Sequence, residues 1–221
     1  MLISHPKRFI YLKTRKTGGT SAEIFLEKYC KPPELAEEEN HYGPALISEH
    51  GVVGFRGVTT DGQTWYSHMP AERVRDLVDP EVWADYLKFC IVRNPFDRMV
   101  SYFWMMVPPN LRAPASADMA AARTIFSQWA LSAQQLPSDR HIYLIDGKPC
   151  VDRMLRYEKF DEELASVCAH LGLDADLARL GRYKSEFRAR KESYRDYYSP
   201  EARARVEREF AADLEMLGYS F

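Results

Sequence analysis

The apolar residues of the chain fall into two kinds of stretch. Short dense runs, RFIYLK at 8–13 and LKFCIV at 87–92, predict buried strands, because an uninterrupted β-rich run fits a sheet covered on both faces. HIYLI at 141–145 and RMLRYE at 153–158 read as further strands, with the turn-forming pair Asp146-Gly147 between them. Other stretches repeat at helical spacing. Ala22, Phe25, Leu26 and Tyr29 follow Thr20-x-x-Glu23, the spacing of a capping box, so a helix is expected from Thr20 to the stop at Lys31-Pro32-Pro33. Pro70 opens a helix through about Val78. Asn94 as N-cap and Pro95 at the first helical position start another through about Met106, closed by Pro108-Pro109. A further helix is expected over Ala117 to Leu131. Phe160, Leu164, Val167 and Leu171 stripe the next one. The last begins at Ser199-Pro200, carries Val206, Phe210, Leu214 and Leu217 on one face, and stops at Gly218.

Strands alternating with helices predict an α/β fold, in three α/β/α layers around a mainly parallel central sheet. With 221 residues, no internal repeat and no long linker, the chain is expected to form a single domain over 1–221. Such sheets bind ligands beyond the carboxyl ends of their strands. Thr14–Gly19 and Arg93–Asn94 both follow predicted strands, so both are expected to face one pocket.

Composition narrows the function. An apolar content of 46% excludes wholesale disorder, and a net charge of -2 argues against a general nucleic-acid binder. Cys30, Cys90, Cys150 and Cys168 stand far apart with no C-x-x-C pair, which speaks against a zinc site or a disulfide scaffold and for a reducing compartment. The opening MLISHPKRFIYL is too short in apolar length for a signal peptide, and no run approaches the ~20 residues of a membrane span. A soluble, cytoplasmic protein is expected, with its oligomeric state open.

Two motifs carry candidate chemistry. In TRKTGGTS the stretch resembles a P-loop-like strand, turn and helix, except that the lysine precedes the glycines where G-x-x-x-x-G-K-[ST] puts it after them. Gly18 and Gly19 allow a tight turn and close backbone approach. The N–H groups of Gly19, Thr20 and Ser21 would then face outward at a helix N-terminus, where an anion is favoured. Lys16 adds charge, and the hydroxyls of Thr17, Thr20 and Ser21 are read as spare donors. In CIVRNPFDRMVSYFW, Arg93 leaves the strand and Ser101 stands two turns into the helix, off its apolar face. Together they suit a phosphate, unless Arg93 pairs instead with Asp97 or Asp85.

KTRKTGGTS followed by FCIVRNPFDRMVSYF resembles the two signature motifs of the sulfotransferases, particularly the carbohydrate-type group. SHMPAERVRDLVDPEVWADYLKF, VDRMLRYEKFDEELASVCAHLGL and YRDYYSPEARARVEREFAADLEMLGYSF resemble further family segments, so the likeness covers most of the chain. It implies 3′-phosphoadenosine 5′-phosphosulfate (PAPS) as co-substrate, without a metal. Lys16, Thr17, Gly18, Gly19, Thr20 and Ser21 would hold the 5′-phosphosulfate, and Arg93 with Ser101 the 3′-phosphate. Arg15 departs from the proline found there in many members, and its place, in the pocket or in solvent, stays open. The implied acceptor is a carbohydrate or small-molecule hydroxyl.

Such a transfer needs a group to take the acceptor's proton. His68 lies in the segment resembling the one that supplies the base in some members, and is the expected base. With chemistry rate-limiting, the turnover–pH profile is expected to rise through an ionisation near the ordinary histidine value of ~6.5. His50 and Glu49 are reserves. The basic run from Arg179 to Arg195 adds Lys184, Arg188 and Lys191 as candidate contacts to the co-substrate or acceptor, while Tyr194, Tyr197 and Tyr198 are read mainly as core. Two alternatives stay open: a metal-dependent nucleotide phosphotransferase or NTPase, and an inactive nucleotide- or glycan-binding module.

Overall fold

The computed structural model describes residues 1–35, 42–58, 62–174, 176, 180–181, 188–190 and 192–221. In chain order its elements are β1 (Leu2–Ser4), β2 (Phe9–Leu12), α1 (Gly19–Glu27), β3 (Leu46–Ser48), β4 (Gly51–Val53), α2 (Ala71–Leu77), α3 (Pro80–Asp85) and β5 (Leu87–Val92). Then come α4 (Pro95–Met106), α5 (Pro109–Ala117), α6 (Met119–Ser132), α7 (Arg140–Tyr143), β6 (Leu144–Ile145), β7 (Lys148–Pro149), β8 (Arg153–Arg156), α8 (Phe160–His170), α9 (Pro200–Glu209) and α10 (Ala211–Leu217). They divide into two compact units, residues 1–92 with 139–183 and residues 93–138 with 184–221. Among the described residues, no helix is long and apolar enough to cross a membrane.

The first unit is built on a sheet whose order, among the described residues, is β3-β4-β1-β2-β5-β8. β2, β5 and β8 run parallel, whereas β1–β2, β1–β4 and β3–β4 pair antiparallel. The sheet is therefore mixed, and the expected mainly parallel sheet is corrected. Tight turns join β1 to β2 and β3 to β4, and a tight turn can only bring the chain back alongside itself. β1, β3 and β4 have three residues each, too few to stand out as apolar runs. Leu2 pairs with both Tyr11 and Val53, and Cys90 with Leu12, so the ends of β2 and β4 share one sheet edge toward which β5 also runs. Ser4, Phe9, Gly51 and Leu87 define the opposite edge. Phe9, Tyr11, Phe89 and Ile91 pack on Ala22 and Leu26 of α1 and on Leu164 and Val167 of α8.

The second unit is helical. Phe96, Met99, Val100, Phe103 and Trp104 of α4 pack with Phe126 of α6, Val206 of α9, and Tyr197 and Tyr198. The indole N–H of Trp104 donates to Tyr197 Oη at 3.1 Å, and the Tyr198 hydroxyl donates to the Phe96 carbonyl at 2.8 Å, so both tyrosines are core. The α4 bounds are those expected, with the Asn94 side chain accepting from Phe96 N–H at 3.0 Å. The last helix is broken at Phe210 into α9 and α10. In the first unit, HIYLI is mostly α7 rather than strand. Ile142 N–H turns back to the Asp139 carbonyl at 2.8 Å, and the burial of Ile142 and Tyr143 that suggested a strand serves a helical turn equally well.

Candidate functional site

β2 delivers the chain to the Gly-rich loop, and hydroxyls fasten the loop to the neighbouring strand. Thr14 Oγ1 donates to the Ile91 carbonyl on β5 and lies 2.8 Å from Thr17 Oγ1. Because the Thr14 proton goes to Ile91, Thr17 donates to Thr14. The Thr17 hydroxyl, expected as a spare donor, thus closes the loop from a buried position, leaving its backbone N–H as what it can offer a ligand.

The loop then turns through left-handed backbone at Lys16 (φ 61) and Gly18 (φ 73). For lysine this conformation costs about 1–2 kcal/mol, a local strain that the surrounding contacts must hold. α1 begins at Gly19 with no side-chain cap and no carboxylate in its first turn. The Thr20–Glu23 capping box is therefore corrected, since Glu23 is turned into the protein and engaged elsewhere. The helical ladder starts with Ala22 N–H to the Gly18 carbonyl at 3.2 Å, so the Gly19 and Thr20 amides precede the first intrahelical bond. At Gly19 a Cβ would sit 3.0 Å from Lys13 Cγ and 3.1 Å from both the Thr14 carbonyl oxygen and Tyr11 Oη. Gly19→Ala is expected to destabilise the fold by about 1–3 kcal/mol in chemical denaturation, as overpacking against backbone does. An unchanged midpoint would show that the loop opens around a methyl group.

Beside the loop lies a buried charge cluster. Glu23, fully buried, accepts from Lys13 Nζ at 2.5 Å and Arg56 Nε at 2.9 Å on one oxygen, and from the Met1 amino group at 2.7 Å on the other. Arg56 reaches on to Glu27, which Lys31 Nζ also meets at 2.7 Å. Burial alone would raise the Glu23 pKa. The Met1 amino group, Lys13 and Arg56 outweigh burial and hold the carboxyl well below the usual range. Arg15 is anchored too: its backbone N–H and Nη1 donate to the buried Asp139 carboxylate at 2.8 and 2.9 Å. The departure from proline at this position thus carries a counter-charge of its own.

The structure brings His68 to the base of the same loop. Its Nδ1 lies 3.0 Å from the Lys13 carbonyl, which can only accept, so Nδ1 carries the proton and Nε2 the lone pair. His68 also has left-handed backbone (φ 62). Its pKa is pushed down to about 3, first by burial, then by the positive charges of Lys13, Arg15 and the Met1 amino group. The ligand-free ring thus lies well below the ordinary histidine value of ~6.5. His50 and Glu49 stand in the β3–β4 turn, with the His50 carbonyl accepting from His5 N–H at 3.0 Å. That is the sheet edge opposite the loop, about 10 Å away along β2 at strand rise.

In the second unit, Arg93 precedes the α4 cap and is 8% exposed. Its Nε and Nη2 donate to Asp97 Oδ2 at 2.8 and 2.6 Å. Asp97 Oδ1 accepts from Arg188 Nη1 at 2.8 Å. Arg188 Nε and Nη2 in turn meet the carbonyls of Arg190 and Glu192 at 3.1 and 2.6 Å. Asp85, the other partner considered for Arg93, pairs with Arg8 at 3.2 Å. Ser101 is half-buried on α4. Lys184 and Lys191 lie outside the described residues.

Residues 1–220 match the sulfotransferase family. The chain belongs to that family. Both anion motifs fall within the match, and sulfuryl transfer is the reaction class it carries. The chain is also 28% identical over 109 residues to an uncharacterized protein of Archaeoglobus fulgidus, covering 49% of this chain and 87% of that one. What the sequence did not reveal in this sulfotransferase is the set of anchors behind the motifs. Asp139 is 124 positions from Arg15, and Arg56 is 33 from Glu23, separations that leave no local pattern to read.

Proposed function

We propose that this chain transfers the sulfuryl group of PAPS to a hydroxyl of a small-molecule or carbohydrate acceptor. When bound, PAPS supplies a phosphosulfate anhydride whose sulfur is open to in-line attack. The loop from Lys16 to Ser21 binds the phosphosulfate end through Lys16 and the amides at the start of α1, and stabilises charge on the departing oxygens. Arg93 and Ser101 bind the 3′-phosphate. His68 Nε2 takes the acceptor's proton. Arg15 acts from the loop's flank with its charge balanced by Asp139.

The observation that carries this reading is the start of α1: an anion-favouring helix N-terminus that no side chain caps, beside a lysine held in left-handed backbone. The family match over 1–220 takes in both motifs, which supports both serving one donor. The single family match over 1–220 supports the two units acting as one sulfotransferase domain.

Thermal denaturation with 3′-phosphoadenosine 5′-phosphate (PAP) tests it. Without added magnesium, PAP at ~100 times its Kd is expected to stabilise the protein by about 2.7 kcal/mol, well beyond AMP at the same concentration. Equal stabilisation by AMP would remove the dedicated 3′-phosphate site from the reading. Stabilisation that appears only with magnesium would favour a nucleotide phosphotransferase.

A further inference from the structure

We propose that Asp97 is a positioning residue that aims the Arg93 guanidinium and so sets the preference for a nucleotide carrying a 3′-phosphate. The inference rests on the reading of Arg93 as the 3′-phosphate ligand. It starts from the cost of burying a cation. At 8% exposure the Arg93 guanidinium needs a counter-charge close by, and Asp97 supplies it.

The form of the pair matters more than its presence. A guanidinium is a rigid planar fork with two faces for paired acceptors, the Nε–Nη2 edge and the Nη1–Nη2 edge. Asp97 takes the first, with both Nε and Nη2 on Oδ2. The fork is thereby fixed in rotation, and its Nη1–Nη2 edge points away from Asp97, the edge suited to two parallel bonds to a phosphate.

Asp97 cannot swing to follow the arginine, because its other oxygen is held by Arg188. Arg188 is fixed in turn by the carbonyls of Arg190 and Glu192, and lies over the Tyr197 ring with its guanidinium carbon 5.5 Å from the centroid. Tyr197 is fully buried in the core of this unit. A continuous set of contacts thus runs from the helical core to Arg93. On this account Arg188, a candidate co-substrate contact in the sequence, acts by bracing Asp97.

The test compares Asp97→Glu and Asp97→Asn with Arg93→Ala, reading the Kd of PAP and of AMP by calorimetry at one ionic strength. Asp97→Glu keeps the charge and moves the carboxylate outward by one methylene. Asp97→Asn keeps the shape, but its amide N–H₂ faces one of the two arginine donors. Each is expected to weaken PAP by about tenfold, the scale of one misdirected charge-assisted hydrogen bond, with AMP changed by less than about threefold. Arg93→Ala should erase the preference for PAP altogether. If Arg93→Ala keeps that preference, the reading of Arg93 fails and the inference falls with it. If Arg93→Ala erases it while both Asp97 variants retain it, the inference alone is wrong. Tighter PAP binding by Asp97→Asn would overturn it too, since Asp97 would then compete with the phosphate. An equal loss of PAP and AMP would reduce Asp97 to a structural ion pair.

Discussion

Replacing His68 with alanine is expected to lower turnover by about 10²–10⁴-fold and leave PAP affinity within about threefold, the signature of a lost general base. The imidazole is oriented rather than loosely placed. Its Nδ1 proton is committed to the Lys13 carbonyl, so the neutral ring presents Nε2 as the acceptor. The depressed pKa of about 3 keeps the ring neutral across the working range, but it also makes a weak base. Under the proposed function, a phosphosulfate bound at the neighbouring loop adds negative charge near His68 and stabilises the imidazolium, so the pKa is expected to rise on loading. The rise in kcat with pH is therefore expected at a higher pH than the rise in kcat/KM for the donor, which reports the ligand-free enzyme. Histidine NMR titration of the protein with and without PAP measures the same displacement directly. Near-wild-type turnover by His68→Ala would remove it from the chemistry. The role would not then pass to His50 or Glu49, which stand at the opposite sheet edge.

The second large effect concerns stability. Glu23→Gln is expected to cost about 3–5 kcal/mol in urea denaturation at neutral pH, because it strips the shared carboxylate from buried Lys13 and Arg56. The pH dependence follows from the depressed carboxyl pKa of the folded state. Below the unfolded value of ~4.3 the unfolded chain binds a proton that the folded one still refuses. Glu23 therefore contributes its full stability above that pH, and loses it as pH falls toward the folded value. Wild type and Glu23→Gln should draw together as the solution is acidified below pH ~4. A gap that stays constant down to pH ~3 would mean that packing, not charge, is what the substitution removes.

Where local chemistry dictated structure, the sequence could be read closely. The Asn94-Pro95 start of α4 and the LKFCIV strand lie where their residues place them, since a cap and an apolar run act over a few positions. Glu23 shows the opposite case. Its spacing from Thr20 fits a capping box, yet Lys13 and Arg56 offer it two full charges where the box offers one amide, and the charges win. Lys16 and His68 were chosen for their chemistry. Nothing in their identity announced that both would sit in left-handed backbone, a conformation shared among the described non-glycine residues only with Arg8 and Asp146. Strain of that kind comes from the assembled surroundings and leaves no mark on the residue type.

The tie between Arg15 and Asp139 has a bearing on how the protein is made. Synthesis brings out β2 and the Gly-rich loop early, but the carboxylate that fixes Arg15 follows 124 residues later. At about 5–20 residues per second that interval is roughly 6–25 s. Throughout it the nascent loop has its glycines and its lysine but not the anchor that sets their direction. A chain released before Asp139 would hold the whole TRKTGGTS motif and still lack the carboxylate that fixes Arg15, so this contact of the loop forms only late in translation.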